Sequence, residues 1–419
     1  MKTEIQIERL NLSGNGVGFI KSPGTLEGLR ASVPFTVPGD LVEIEAVPGR
    51  AGMVRSQLLT IIRPSESRVV PRCQYFQRCG GCQFQHIQIA KQRELKLSMV
   101  TETLARFGLV PKQGFELIGA QIGAWEYRTR VDLHLDLNGN FGFFYPHSGK
   151  VIDIDRCPIS RAAVNFALGE LRNWKEKLAP FVFEITVEEH GQQTDVVLKL
   201  RRDRPNARDH RLPSIPRTLV HALRKLFPRL SVTFNDSPIP FGAVSAETEA
   251  HPAGHFSQAN PEANQVLIET LLRLVSHKQV TEFHAGAGNF TIPLTEAGYT
   301  VEAIELDSEL VKFGNTRLAK LPKIHSSRFV NLSAERFAEK GNFQATVILD
   351  PPRDGAPKLV QHLTPKSIHE ILYVSCGLKA LTYDLATLTQ NGFAIHSVKA
   401  LDMFPQTHHV ECLVKLVAA

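Results

Sequence analysis

The sequence predicts a multidomain α/β protein. A small N-terminal β-barrel is expected over residues 1–63, a β-rich central domain over 64–250 and a Rossmann-like domain over 251–419. Three observations carry this. The first sixty or so residues read as short strands punctuated by Gly and Pro, a pattern of small barrels, among them the oligonucleotide-binding type. The texture then changes after Pro64 to a cysteine-rich stretch. From about residue 260, strands alternate with helices at the spacing of a doubly wound parallel sheet.

In the first region an alternating EIQI run opens the chain, SGNGVGF supplies a glycine turn and VPGDLVEIEAV sets a turn before another strand. After the cysteines, IAKQRELKLSMVTETLARFG has helical spacing and a closing glycine. RTRVDLHLDL and GKVIDID return to strands, and the region 160–245 is weakly patterned, a helix mixed with further strands. Then the α/β rhythm runs through NQVLIETLLRLVS, QVTEFHAGAGNF, TVEAIELD, ATVILDPPR, ILYVSC, YDLATLTQNGF and HVECLVKLV.

At 419 residues the length fits two or three domains. A hydrophobic content of 43% against 21% charged residues describes a globular protein with ample core. No stretch approaches the ~18 apolar residues of a membrane span, and MKTEIQIERL lacks the apolar run of a signal peptide. A cytoplasmic protein with no membrane partner and no obligate protein partner is therefore expected. There, clustered cysteines serve as metal ligands or catalysts more often than as disulfides. The net charge of +6 leans toward an anionic partner. Positive charge bunches at 201–225, which reads first as a solvated surface and second as a phosphate contact.

Four cysteines, Cys73, Cys79, Cys82 and Cys157, give C-x5-C-x2-C with a distant fourth. Zinc sites usually pair ligands as two C-x2-4-C units, and four thiolates suit an iron–sulfur cluster at least as well; spacing leaves both open. Gly286 and Gly288 lie between a strand and a helix, where backbone can approach a nucleotide, although the third glycine of the dinucleotide fingerprint is missing. About nineteen residues on, Glu305 is placed to accept from both hydroxyls of an adenosine ribose, which favours S-adenosyl-L-methionine (SAM) over a simple tight turn. Asp350 ends an apolar strand and is stiffened by two prolines. Cys376 ends another strand beside a helix start, a setting that suits either a core residue or a reactive thiol. Glu411 tips that balance as a candidate general base. His408 and His409 fit local hydrogen bonding better than a metal site, and Cys412 fits the core of the last strand.

Together these segments resemble the bacterial RNA (uracil-5-)-methyltransferase family, specifically its iron–sulfur 23S rRNA branch, over most of the chain. The N-terminal segment looks like a TRAM domain. CQYFQRCGGCQFQH followed by DIDRCPIS looks like the branch's [4Fe–4S] site. HFSQANPEANQ, HAGAGNF, IELD, LDPPRDGA, VSC and LDMFPQTHHVE follow in the family's order. The resemblance implies that Cys376 is the nucleophile and Glu411 the base. It also implies that Gln258, His284, Asn289, Glu305, Ser333 and Asp350 line a SAM site, and that Cys73, Cys79, Cys82 and Cys157 hold a [4Fe–4S] cluster. The implied substrate is a uridine of rRNA, with the T-loop uridine of tRNA as the second reading and a catalytically silent RNA-binding protein as the third. Methylation of cytosine fits less well, because LDPPR lacks the second catalytic cysteine of those enzymes. The chain departs from the family in four places. Gly377-Leu378 replaces Asn-Pro, Tyr383 replaces Arg, His284 stands where another aromatic ring is usual, and Glu282 stands where Asp is commoner.

Overall fold

The structure is a computed structural model that describes residues 1–49, 53–191, 193–201, 214–235, 237–239, 257–322 and 326–419. Residues 202–213 of the basic stretch and the start of HFSQANPEANQ lie outside the described residues. By internal contacts the chain divides into two compact units. The first gathers residues 1–70, 86–122 and 262–419, and the second gathers 71–85 and 123–261.

In the first unit, β1 (Lys2–Gln6), β2 (Arg9–Leu10), β3 (Gly16–Phe19), β4 (Arg30–Val33), β5 (Leu41–Pro48) and β6 (Met53–Arg63) form one sheet in the order β1-β5-β6-β4-β3-β2. Alternation makes this sheet two-sided: Val42, Ile44 and Ala46 of β5 are buried with Ile5, Ile20 and Val33, while intervening residues turn outward. The glycines of SGNGVGF are needed for close approach, because a Cβ at Gly18 would sit 2.2 Å from the Gln6 carbonyl. The chain then forms α1 (Ile89–Arg106) and β7 (Phe115–Ile118).

The second unit is a seven-stranded sheet with helices packed on it. Its strands are β8 (Arg130–Leu135), β9 (Phe141–Phe144), β10 (Val151–Asp153), β11 (Val182–His190), β12 (Gln193–Leu200), β13 (Arg229–Phe234) and β14 (Ser237–Pro238), ordered β10-β9-β8-β11-β12-β13-β14. Helix α2 (Ala162–Arg172) buries Val164, Ala167, Leu168 and Leu171 in its core. Helices α3 (Lys175–Leu178) and α4 (Arg217–Leu226) join the same cluster. Among the described residues, the weak pattern at 160–245 thus conceals a long hairpin, two further strands and three helices.

The rest of the first unit holds α5 (Pro261–Leu274), β15 (Gln279–Phe283), α6 (Thr291–Glu296), β16 (Thr300–Glu305), α7 (Ser308–Leu318), β17 (Arg328–Asn331) and α8 (Ala334–Ala338). It continues with β18 (Thr346–Leu349), α9 (Pro357–Val360), β19 (Glu370–Ser375), α10 (Leu378–Gln390), β20 (Phe393–Leu401) and β21 (Glu411–Ala418). The sheet runs β17-β16-β15-β18-β19-β21-β20-β7. Successive residues point to opposite faces: Val347 and Leu349 pack with α9 and α10, whereas Ile348 packs with α5 and α6. Covering on both faces is why TVIL and ILYV are apolar throughout.

One expectation needs correction. The sheet is not wholly parallel, because β21 pairs antiparallel with both β19 and β20. The reason is the connection. β20 and β21 are joined by the nine residues 402–410 with no crossover helix, and so short a link returns the chain antiparallel. The early strand β7 pairs parallel with β20 at the sheet edge, a partnership its four residues FELI do not announce.

Candidate active site

Parallel strands end at a sheet's carboxyl edge, and an antiparallel strand begins there. That reversal brings the far ends of the sequence together. Phe283 pairs with Ile304 and with Leu349, so His284, Glu305 and Asp350 emerge side by side. Ser375 pairs with Cys412, which sets Cys376 opposite Glu411, the first residue of β21. Five of the site residues expected from the sequence therefore share one edge.

The turn after β15 is sharp. His284, at φ 59°, occupies the left-handed region that side chains rarely adopt, as do Gly286 at 55° and Gly288 at 90°. A Cβ at Gly288 would sit 3.0 Å from the Phe329 ring. Glu305 braces this turn: its carboxylate accepts from the Gly286 amide at 2.8 Å and the Asp307 amide at 2.9 Å. Each oxygen keeps a second lone pair for a ligand. Asn289 exchanges side-chain hydrogen bonds with Asn264 of α5, at 2.8 and 3.1 Å. Ser333 caps α8, accepting from the Arg336 amide at 3.3 Å. Gln258 is half-buried and belongs to the second unit.

Beside Glu305, three further acids gather at this edge. Burial pushes Glu282 up to about 8, against a hydrogen bond from the Thr291 hydroxyl at 2.6 Å. Burial likewise lifts Asp350 to about 7. Glu411 is raised well above the usual carboxylate range, first by burial and then by Asp350, with Arg353 opposing. Burial and the nearby Glu411 lift the Cys376 thiol to about 11, while Arg353 acts in the other direction by charge and hydrogen bond. Arg353 is a charged side chain beside the thiol that sequence reasoning did not single out. It sits three residues after Asp350, and the signal was chemical: a cation beside a thiol favours its ionised form.

The loop carrying Asp350 and Arg353 is fixed from α10. Asp384, buried, accepts from the Ala356 amide at 2.7 Å and from the Tyr373 hydroxyl at 2.5 Å. Gly377 explains one departure from the family pattern, because a Cβ there would meet the Arg353 carbonyl at 2.3 Å. Tyr383, next to Asp384, is exposed and meets the Phe107 ring edge-on at 5.8 Å. Cys376, Arg353, Lys379, His408 and His409 line one pocket, which shares Leu12 and Met99 with a groove lined by Arg9, Asn11, Arg30 and Arg106. The imidazoles of His408 and His409 lie 4.2 Å apart, and burial, with Lys96 and Arg353, lowers His408 to about 4. Cys412 is fully buried in the core.

In the second unit, Cys73, Cys79, Cys82 and Cys157 line a single pocket with Phe76, Phe143, Ile154 and Ile159. The Cys73 amide donates to the Gln85 side chain at 3.1 Å. Asn165 of α2 holds the other arm: its carbonyl accepts from the Cys157 amide at 2.8 Å, and its amide donates to the Cys157 carbonyl at 3.0 Å. Burial first, and then charge on neighbouring cysteines, pushes Cys79 up to about 11 and Cys82 higher still. Among the described residues, no three His, Cys, Asp or Glu side chains close tightly enough to hold one metal ion.

A family model described as tRNA (uracil-5-)-methyltransferase matches residues 248–419. Over 99% of this chain and 96% of its own length, the 23S rRNA (uracil(1939)-C(5))-methyltransferase of Shewanella frigidimarina is 24% identical. Residues 248–419 are thus similar to the RNA (uracil-5-)-methyltransferase family, and the whole chain is similar to RNA methyltransferases. An uncharacterized RNA methyltransferase of Protochlamydia amoebophila is 28% identical over 99% of this chain and 98% of its own. The fold agrees: the Pyrococcus abyssi tRNA (uracil-54, C5)-methyltransferase, solved with S-adenosyl-L-homocysteine, superposes with a TM-score of 0.73 over 99% of both chains at 24% identity. Among the described residues no helix is long and apolar enough to cross a membrane.

Proposed function

We propose that this chain transfers a methyl group from SAM to carbon 5 of a uridine in 23S rRNA, through a covalent bond between Cys376 and carbon 6. The observation that carries the reading is the register that sets Cys376 opposite Glu411 at the edge where Asp350 also ends its strand.

The residue types fit the chemistry. Carbon 5 of uracil is a poor nucleophile, so thiolate addition at carbon 6 is needed to make it an enolate carbon. SAM, when bound, supplies the electrophilic methyl. Cys376 forms the bond to carbon 6 with Arg353 favouring its ionised form. After carbon 5 is methylated, Glu411 takes the carbon 5 proton, the carbon 6–sulfur bond breaks and 5-methyluridine leaves. The buried Glu282 and Glu411 with the half-buried Asp350 favour a positively charged ligand, because a cation eases the ionisation that burial opposes. His284, Asn289, Glu305, Ser333 and Asp350 are assigned to that ligand. The groove with Arg9, Arg30 and Arg106 leads to the nucleophile's pocket and suits the phosphates of an unpaired strand. This supports a TRAM-like RNA-binding role for residues 1–63.

Cys73, Cys79, Cys82 and Cys157 are assigned to a [4Fe–4S] cluster. Four thiols lining one pocket with Phe76, Phe143, Ile154 and Ile159 support a shared thiolate site, and four thiolates suit a cluster at least as well as zinc. A polynuclear cation supplies the charge that lets all four ionise together.

The test is to map 5-methyluridine in 23S rRNA and tRNA with and without the gene, restored as wild type or Cys376→Ala. The expected result is loss of one 23S rRNA methyl that only wild type restores, the variant being slower by on the order of 10⁴-fold or more. Loss of the tRNA methyl instead redirects the substrate assignment, and full rescue by Cys376→Ala sinks the mechanism.

A further inference from the structure

The base of this site stands at the end of a loop with no regular structure, residues 402–410, which joins β20 to β21. That loop is held by α1, about three hundred residues earlier in the chain. Lys96, fully buried, donates its Nζ to Asp402 Oδ1 at 2.5 Å and to the Phe404 carbonyl at 3.0 Å. Asp402 is equally buried, and Arg93 Nε lies 3.4 Å from its other oxygen. Gln92 meets the loop further on. Its Oε1 accepts from the Gln406 amide at 2.9 Å, and its Nε2 donates to Gln406 Oε1 at 2.9 Å and to the Ile87 carbonyl at 2.8 Å. Gln406, at φ 70°, lies in the left-handed region, a conformation that persists only where surroundings enforce it.

The energetics argue against a purely stabilising role. A buried ion pair gives back in Coulomb attraction little more than desolvation takes, and well-packed apolar groups are often as stable. What Lys96–Asp402 and Gln92–Gln406 supply is direction: donors and acceptors that fix where the loop backbone lies at two points, five and nine residues before Glu411. Residues 92 and 96 are one helical turn apart on α1, so one rigid element sets both points.

We propose that Gln92 and Lys96 are positioning residues for the general base. They clamp loop 402–410 so that the Glu411 carboxyl stays aligned with Cys376, and a displacement of about 1 Å costs on the order of 10²-fold in such a step. The proposal rests on the reading of Cys376 as nucleophile and Glu411 as base. Cys376 and Arg353 stand off the clamped loop, after β19 and β18, so a fault in the clamp falls first on proton removal and less on thiol addition.

That separation gives the test. Lys96→Met and Gln92→Leu are incubated with uridine RNA and SAM, and covalent protein–RNA is counted on denaturing gels beside methyl transfer in a single turnover. The expected result is methylated RNA that stays bonded to the protein, its lifetime lengthened about 10- to 100-fold. The multiple-turnover kcat falls by the same factor, and KM and SAM affinity stay unchanged. Normal release by both variants overturns the proposal, and so does parallel loss of adduct formation and release in both, which marks a merely structural role. A wild type that methylates with no adduct overturns the nucleophile reading itself, an outcome visible before any variant is made.

Discussion

Two sets of half-buried thiols stand in this chain, and their surroundings differ in kind. In both, burial is the first influence and lifts the thiols above their ordinary range. In the four-cysteine pocket the thiols next act on one another, so each ionisation makes the next harder. Cys376, with Cys412 as its one neighbouring thiol among the described residues, is acted on by the carboxylates Glu411 and Asp350 and by the cation of Arg353. The first arrangement calls for positive charge from outside, as a cluster supplies. The second carries its own cation and a group able to take a proton, as a nucleophile requires. Residue type is the same; the neighbours decide the chemistry.

The widest break between the two comes from removing one ligand. Cys157→Ser is expected to abolish iron and sulfide binding and to cost about 4 kcal/mol of stability, the scale of losing a bound metal. SAM affinity should be untouched. Colour, iron content and thermal unfolding check this, and stoichiometric zinc without iron in the wild type contradicts the cluster.

Gly377→Ala comes next. Its Cβ meets the Arg353 carbonyl at 2.3 Å, so the loop or the start of α10 must shift, at about 2 kcal/mol. Gly377→Asn, which restores the residue usual in the family, should destabilise at least as much. An unchanged unfolding midpoint in both rules out the close approach as the reason for glycine.

Arg353→Met sharpens the comparison by making Cys376 resemble the other cysteines. Arg353 is exposed on its outer side, so its pull is screened and the expected loss is about 10-fold in adduct formation at neutral pH. The sign is fixed: the reactive form is the thiolate, the wild-type thiol stands at about 11, and the rate rises with pH toward that value. Without Arg353 the thiol moves higher and the rising limb shifts to more alkaline pH. A shift the other way contradicts the role given to Arg353.

Much of this was legible in the sequence. The alternation of ATVIL, ILYV and the helices between them announced a sheet covered on both faces, because buried strands must be apolar throughout. The positions of Glu305, Asp350 and Cys376 at strand ends could be read as an edge site, since strand ends are where such sheets bind ligands. The reversal of β21 could not be read from apolar periodicity, which is the same in either direction. Yet that reversal is what turns Glu411, at a strand's beginning, toward Cys376, at a strand's end. Arg353 was overlooked because an arginine in a loop has many uses, and only the neighbouring thiol gives it this one. The buried Lys96 was hidden in an amphipathic helix where charge usually means solvent, and its partner Asp402 is 306 positions away.

The central claim is that Cys376 and Glu411 act as a nucleophile and base on one uracil ring. RNA in which the target uridine carries fluorine at carbon 5 tests it most directly, because a base removes a proton from that carbon but not fluorine. Incubated with the protein and SAM, such RNA should accumulate as a methylated covalent complex, stable to denaturation, with the modified nucleotide bonded to Cys376 by peptide mass mapping. A complex mapped to another residue, or equally abundant with Cys376→Ala, contradicts the account.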